Sequence, residues 1–331
     1  MSALLSCKNL SKKRDHFMLD GISFDIEPGY IMGVIGRNGC GKTTLLQTLM
    51  GSLRLDWEED RIKAIDRTKT DIRMDGISIL EDIRGYKSQF AYVLNDTPFP
   101  KGKSALEIGR IFGGYYGSFD QDRYQTYLKD FEVPHRQALV KLSAGQKIRQ
   151  QLAFALSYDA KVYFFDEPTG SLDVEFRDMF YQEIRKIVAQ GNKSVVYASH
   201  LVEEMEEFAD YLLWMRKPEN DSNRGTQQYF GTVENLRSRY RIVDKVSDRI
   251  PKEWIVGGRK TEYSQELLVC LPEYDGVDTL GPMDGKQEEG FGIPKERDQE
   301  NKNGLVQEIT SQGRCADLKE IMYYVEKGVI V

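Results

Sequence analysis

The sequence is poor in the residues that build disulfide scaffolds and zinc sites. Its 331 residues hold four cysteines, Cys7, Cys40, Cys270 and Cys315, with no CxxC pair among them. Scattered single thiols suit a reducing cytoplasm better than they suit disulfides or zinc. Long apolar runs are missing too. Stretches such as 30–35 and 162–165 are strand-length, far short of the roughly 18 residues of a membrane helix. The start lacks a secretory signal: the apolar residues 1–5 are too few, and Lys8, Lys12, Lys13 and Arg14 follow. A cationic excess is absent as well. Forty-six Lys and Arg face 52 Asp and Glu, a net charge of −6. That balance argues against non-specific nucleic-acid binding, so no nucleic-acid partner is expected. At about 150 residues per domain, the length provides for roughly two domains.

What is present is an alternation of short buried strands and amphipathic helices, up to about residue 215. Residues 30–35, 161–165 and 194–199 read as buried strands. Residues 42–53 read as a helix with Leu45, Leu46, Leu49 and Leu53 on one face. Phe176, Phe180, Ile184 and Ile187 mark another, stopped by Gly191. This pattern predicts a mostly parallel α/β sheet flanked by helices. Residues 56–71 are polar and read as a surface hairpin or loop. Residues 99–140 interrupt the alternation as an inserted helical lobe would, and 217–225 read as a loop. Beyond about 243 the pattern changes. Residues 266–271 and 305–310 read as strands, with a polar, Gly-rich stretch at 281–304 between them. Asp317 and Glu320 form a capping-box pattern ahead of a closing helix with Leu318, Ile321, Met322 and Val325 on one face. The expected organisation is a domain at 1–242, with a helical subdomain at about 99–160, and a small α+β domain at 243–331.

Gly36, Arg37, Asn38, Gly39, Cys40, Gly41, Lys42 and Thr43 fit the phosphate-binding pattern GxxxxGK followed by Ser or Thr, and Thr44 comes next. The pattern lies between a buried strand and a helix start, where its chemistry requires it. Glycines let successive N–H groups turn toward a phosphate, and the helix end adds positive character. Lys42 supplies an ammonium to the terminal phosphates, and Thr43 a hydroxyl for Mg2+. Val162, Tyr163, Phe164 and Phe165 then carry Asp166 and Glu167 to the end of a buried strand. Ligands bind at such ends. Asp166 is the candidate Mg2+ ligand and Glu167 the general base for an attacking water. No NKxD motif for reading guanine is present.

Leu142, Ser143, Ala144, Gly145 and Gln146 resemble the LSGGQ signature of the ABC ATPase family, with Ala144 in place of one Gly. Pro168 after Glu167, the D-loop-like Ser171, Leu172 and Asp173, and a strand-end His200 follow in family order. The resemblance covers about residues 2–240. It implies a P-loop fold with a RecA-like core, an antiparallel β subdomain and an inserted helical subdomain. It also implies that two copies, of one chain or of two, close head to tail on two ATP molecules. Ser143 to Gln146 of one copy would face the Gly36–Thr43 loop of the other, and His200 would contact the γ-phosphate. Two positions depart from the family. Asn95 stands where the family has a loop glutamine. Lys13 stands near the position of the aromatic that stacks on adenine; its stem or nearby Phe17 could cover the ring, with His16 close by.

The resemblance further implies an ATPase at the cytoplasmic face of the cell membrane, bound to a separate transmembrane permease. The wording of residues 29–36 and the closing helix look like ATP-binding subunits of ABC-2-type bacterial exporters, a group that includes exporters of peptides such as phenol-soluble modulins. An importer ATPase would share every motif. A soluble ABC protein of translation or chromosome maintenance would bring two cassettes or long heptads, and neither is present.

Overall fold

The computed structural model describes residues 2–53, 70–218, 221–244, 250–260, 265–272 and 305–327. The expected stretch at 281–304, and all but the last two residues of that at 56–71, lie outside them. The chain forms two compact units, one of Met1–Leu201 with Phe208–Phe230 and one of Val202–Glu207 with Gly231–Val331.

The first unit opens with a hairpin. β1 (Leu5–Arg14) pairs antiparallel with β2 (Phe17–Ile26), Leu5 opposite Ile26 and Arg14 opposite Phe17. Ile22, Phe24 and Ile26 are buried at alternate positions, the period that seats one face of a strand on a core. β3 (Ile31–Ile35) is buried throughout, as a strand covered on both faces must be. It leads into α1 (Lys42–Leu49), whose Leu45, Leu46 and Leu49 join the core cluster. β4 (Asp71–Met74) and β5 (Ile77–Ser78) extend the hairpin, with Leu5 opposite Met74. α2 (Ile83–Lys87) and β6 (Phe90–Val93) follow. Then α3 (Ala105–Phe112), α4 (Gln121–Asp130) and α5 (Ala144–Ala155) form the expected helical insertion. The core resumes with β7 (Val162–Asp166), α6 (Val174–Val188) and β8 (Ser194–Ala198). After α7 (Val202–Phe208), most of which belongs to the second unit, β9 (Tyr211–Arg216) and β10 (Arg224–Thr232) follow.

These strands make one sheet in the order β5-β4-β1-β2-β10-β9-β3-β8-β7-β6. From β9 to β6 every neighbour runs parallel. From β5 to β2 every neighbour runs antiparallel. The parallel core and the antiparallel arm are thus both present. The helical insertion packs around aromatic rings: Phe154 of α5 lies 5.0 Å from Phe99 and 4.9 Å from Phe119, centroid to centroid. Stacked and tilted rings at such distances add to simple burial.

The second unit holds α8 (Val233–Ser238), β11 (Tyr240–Val243), β12 (Ile255–Lys260) and β13 (Gln265–Cys270). A helix α9 at 305–312, β14 (Arg314–Cys315) and α10 (Leu318–Lys327) complete it. Its sheet runs β12-β13-β11-β14. The unit begins ahead of the expected start at 243, because β11 pairs with β13, Ile242 opposite Leu268. The strand expected at 305–310 is instead α9. Leu305, Val306 and Ile309 pack together on one helical face beside Trp254 and Val269. A short apolar run carries no period that separates strand from helix, and this core settled it. The expected capping box at α10 is present: Glu320 N donates to Asp317 Oδ1 at 2.7 Å and Asp317 N to Glu320 Oε2 at 3.0 Å.

Candidate functional site

Parallel strands side by side deliver their C-terminal ends to one edge of the sheet, and ligands bind beyond that edge in such folds. Residues following β3, β6, β7 and β8 line an open cleft of about 950 Å³ there. It brings together Asn38, Gly39, Gly41, Lys42, Thr43 and Thr44 with Asn95, Glu167 and His200. These are nine of the residues singled out by sequence, drawn from four separate loops.

The loop after β3 can be built only with glycine at its ends. Gly36 has φ +151°, and a Cβ there would lie 2.3 Å from the Met215 carbonyl oxygen. Gly41 has φ +104°, and a Cβ there would meet Leu19 Cδ2 at 2.5 Å and Phe17 Cε1 at 2.8 Å. Between them the loop curls around the Lys42 ammonium, which donates to the Gly36 carbonyl at 2.8 Å. Cys40 is a buried member of the loop that does not line the cleft, and burial pushes its thiol up. Gly36 and Arg37 likewise frame the loop without lining the cleft.

At the end of β7 stand two acidic residues, Asp166 as its last residue and Glu167 just after it. Asp166 is 4% exposed, and its Oδ1 has no hydrogen-bond partner. Burial raises its carboxyl, while a hydrogen bond with Thr43 opposes the shift. A buried carboxylate oxygen without a partner beside a threonine hydroxyl fits a hard divalent cation such as Mg2+. Among the described residues no cluster of three His, Cys, Asp or Glu side chains could hold a metal. One carboxylate with phosphate oxygens is the usual Mg2+ arrangement, so the two observations agree.

Glu167 has φ +50°, a conformation that non-glycine residues rarely adopt. Its N–H donates to the Ala198 carbonyl at 2.9 Å, and this bond to the neighbouring strand end holds the turn. Its two oxygens face two cations or donors: Lys42 Nζ is 3.7 Å from Oε1, and His200 Nδ1 is 2.5 Å from Oε2. A carboxylate can only accept, so Nδ1 carries the proton and Nε2 is left open. Strain at such a position is commonly stored where a side chain must be aimed.

The other wall comes from the β1–β2 turn and the β9–β10 connection. His16 and Phe17 line it, with Arg14, Asp15, Lys217, Ser222 and Asn223; Lys13 does not. Of the two ring-covering candidates, Phe17 is the one at the cleft.

The signature residues lie elsewhere. Ser143 N-caps α5, its Oγ accepting from Gln146 N at 3.1 Å while Gln146 Oε1 accepts from Ser143 N at 3.0 Å. Ser143 and Ala144 are exposed, and none of the five, Leu142 to Gln146, lines the cleft. The departure at Ala144 has a physical reason. A Cβ at Gly145 would stand 2.7 Å from the Ser171 carbonyl oxygen, so glycine is required there. At 144 the chain faces solvent and accepts a methyl. Asp173 also lies outside the cleft. Its Oδ1 accepts from Phe176 N at 2.9 Å, capping α6, and its Oδ2 pairs with Arg149.

Arg149 escaped sequence reasoning, as did Gln151. The Arg149 guanidinium stacks 4.2 Å over the Phe176 ring and ties α5 to the start of α6. Gln151 brackets the residue before Asn95: its Oε1 accepts from Leu94 N and its Nε2 donates to Leu94 O, both at 3.0 Å. Their place on the helix that follows the signature residues is the one signal the sequence carried.

Residues 19–170 match the ABC transporter family. An energy-coupling factor transporter ATP-binding protein of Clostridium tetani is 25% identical over 228 residues, 66% of this chain and 76% of the relative. A Nod factor export ATP-binding protein of Burkholderia lata is 29% identical over 216 residues, 63% of this chain and 67% of the relative. A solved ATP-binding subunit of an ABC transporter superposes with a TM-score of 0.58 at 21% identity, covering 71% of this chain and 92% of that one. At that identity the likeness speaks for the fold.

Proposed function

The chain contains an ABC transporter ATP-binding domain, and from that premise we propose that it hydrolyses ATP to drive a transporter whose membrane-spanning part is a separate permease. Among the described residues no helix is long and apolar enough to cross a membrane. The proposed place is the cytoplasmic face of the membrane, docked on that permease. Export is the proposed direction; the relatives include a Nod factor export protein and also a phosphonates import protein, so an importer ATPase is the alternative. Peptides or other amphipathic compounds are the proposed cargo.

The observation that carries the reading is the meeting of Lys42, Thr43, Glu167 and His200 at one cleft. Lys42 and the loop N–H groups hold the β- and γ-phosphates. Thr43 and Asp166 would hold Mg2+, which when bound neutralises charge on the transferring phosphoryl group. Glu167 takes the proton of the attacking water, and His200 fixes its carboxylate through Nδ1–H, while a protonated Nε2 would donate to the γ-phosphate. Asn95 adds an amide at the cleft edge. A second ATP-binding subunit completes the site. Its exposed Ser143, with the Gly145 backbone at the start of α5, meets the γ-phosphate of the first, and Asp173 lies along the seam. Exposure of this helix start outside the chain's own cleft is what the head-to-tail sandwich needs.

Glu167→Gln tests the reading. ATP binding should persist while turnover falls by about 10²–10⁴-fold, the scale of a lost general base. The variant should collect as an ATP-bound dimer in size-exclusion chromatography. Full turnover would overturn the assignment.

A further inference from the structure

The cleft holds a cation that none of its sequence motifs accounts for. Lys217 stands one residue beyond the end of β9 and lines the cleft together with Asn38, Gly39 and Lys42. A Cβ placed on Gly39 would be 3.1 Å from Lys217 Nζ and 3.5 Å from its Cε. The ammonium therefore hangs directly over the turn of the phosphate loop.

Strand pairing fixes this placement. β9 runs parallel to β3, with Ile35 opposite Trp214. The residues just past β9 thus emerge beside the loop just past β3. On the return, Asn223 O accepts from Met18 N at 2.8 Å, and Arg224 pairs with Met18. A Cβ on Gly225 would lie 2.2 Å from the Cys40 carbonyl oxygen, so β10 also runs tight against the loop. Both ends of the β9–β10 connection are anchored at the cradle, and Lys217 sits at one of them. Its charge reaches the loop: it acts on the buried Cys40 thiol, favouring the ionised form against burial. Lys217 makes no ion pair with a described residue.

The geometry points to Lys217 as a second phosphate-binding cation, serving the phosphates that ATP and ADP share. This rests on the cleft being the ATP site. A lysine is a mobile point charge on a flexible stem, suited to follow phosphate oxygens without fixed geometry. The reacting end of the cleft is marked by Glu167, which faces Lys42 at 3.7 Å. Lys217 is instead at Gly39, so it binds substrate and product alike and contributes to affinity more than to the chemical step.

The test is calorimetric titration of Lys217→Gln, Lys217→Arg and Lys42→Ala with MgATP and with MgADP, at low and high ionic strength. Lys217→Gln should weaken ATP and ADP by the same factor, about ten- to hundred-fold, the scale of one charge-assisted hydrogen bond. Its affinity should depend less on salt than that of the unaltered protein, because one screened attraction is gone. Lys217→Arg should recover most of the loss. In turnover, KM for ATP should rise by more than kcat falls. Affinity within two-fold of the unaltered protein, with Lys42→Ala strongly weakened, would overturn the role of Lys217 and leave the ATP site standing. A loss for ATP alone would overturn the shared-phosphate placement. Undiminished binding by Lys42→Ala would bring down the ATP site itself and the proposal with it. Lys217 is partly exposed at a strand end, so thermal melts should show the variants folded.

Discussion

His200 Nδ1 lies 2.5 Å from Glu167 Oε2, although 33 positions separate them in the chain. Adjacent parallel strands bring them together: Asp166 at the end of β7 pairs with Ala198 at the end of β8. Glu167 follows one residue later and His200 two residues beyond its strand end. The pair is a property of the sheet, aimed by the unusual backbone at Glu167.

That contact predicts the behaviour of His200→Ala. The carboxylate of Glu167 would lose its partner and the cleft its Nε2. Turnover should fall about 10²-fold, the lower range for a group that assists proton transfer. ATP affinity should stay within a few-fold, since the Lys42 cradle is untouched. Single-turnover hydrolysis beside equilibrium binding separates the two. Equal loss in both would place His200 in ground-state binding.

Gly41→Ala probes the shape of the cradle. The positive φ and the clash with Phe17 and Leu19 act together. The variant should lose about 1–3 kcal/mol of stability, the range for a residue forced into a disfavoured backbone region. Nucleotide affinity should fall at least tenfold, because the loop N–H groups turn away. Denaturant unfolding and calorimetry read the two effects. A fully stable variant with normal affinity would show that the loop tolerates a different path.

Arg149→Ala separates binding from closure. The side chain pairs with Asp173, donates to the Phe131 carbonyl at 3.2 Å and stacks on Phe176. Its removal should destabilise the protein by about 1–3 kcal/mol. Nucleotide affinity of the single chain should hold, because Arg149 is not at the cleft. ATP-driven dimer formation should weaken, because the start of α5 and the start of α6 no longer move as one piece. Unchanged dimer formation would confine Arg149 to packing.

Glu107→Gln should alter the pH dependence of stability. Glu107 accepts from Ser104 N at 2.9 Å and from Lys103 Nζ at 3.1 Å. First the backbone bond, then the lysine, holds its carboxyl down at about 2. The unfolded value is about 4.3. A depressed folded value means stability present above the unfolded value and lost as pH falls through the folded one. The unaltered protein should therefore melt higher than Glu107→Gln above about pH 5, and the two should converge toward pH 2. A constant difference across that window would mean the capping box acts without the charge.

Much of the cradle was legible because it is local. Gly36 to Thr43 are consecutive, their φ needs are met by glycine, and a buried strand and a helix start flank them. β3, β7 and β8 were legible for the same reason, since apolar runs between turn residues report burial directly. The family resemblance supplied the order of the remaining motifs and the expectation of an antiparallel arm.

Other features had no local signal. Leu305, Val306 and Ile309 fit either a strand or a helix until Trp254 and Val269 gave them a core. Asn95 and Glu167 reach one cleft because β6 and β7 are neighbours in the sheet, and sheet order is not written in any one segment. The same holds for Phe17 and Lys217. Phe17 arrives from the β1–β2 turn and Lys217 from the end of β9, nearly the length of the first unit apart in sequence. The sequence by itself determined which segments could bind a phosphate and carry a carboxylate to a strand end. Tertiary structure decided which of those ends meet, because strand pairing joins residues by hydrogen bonds between distant segments, and a distance of a few ångströms across a sheet leaves no periodicity in the chain.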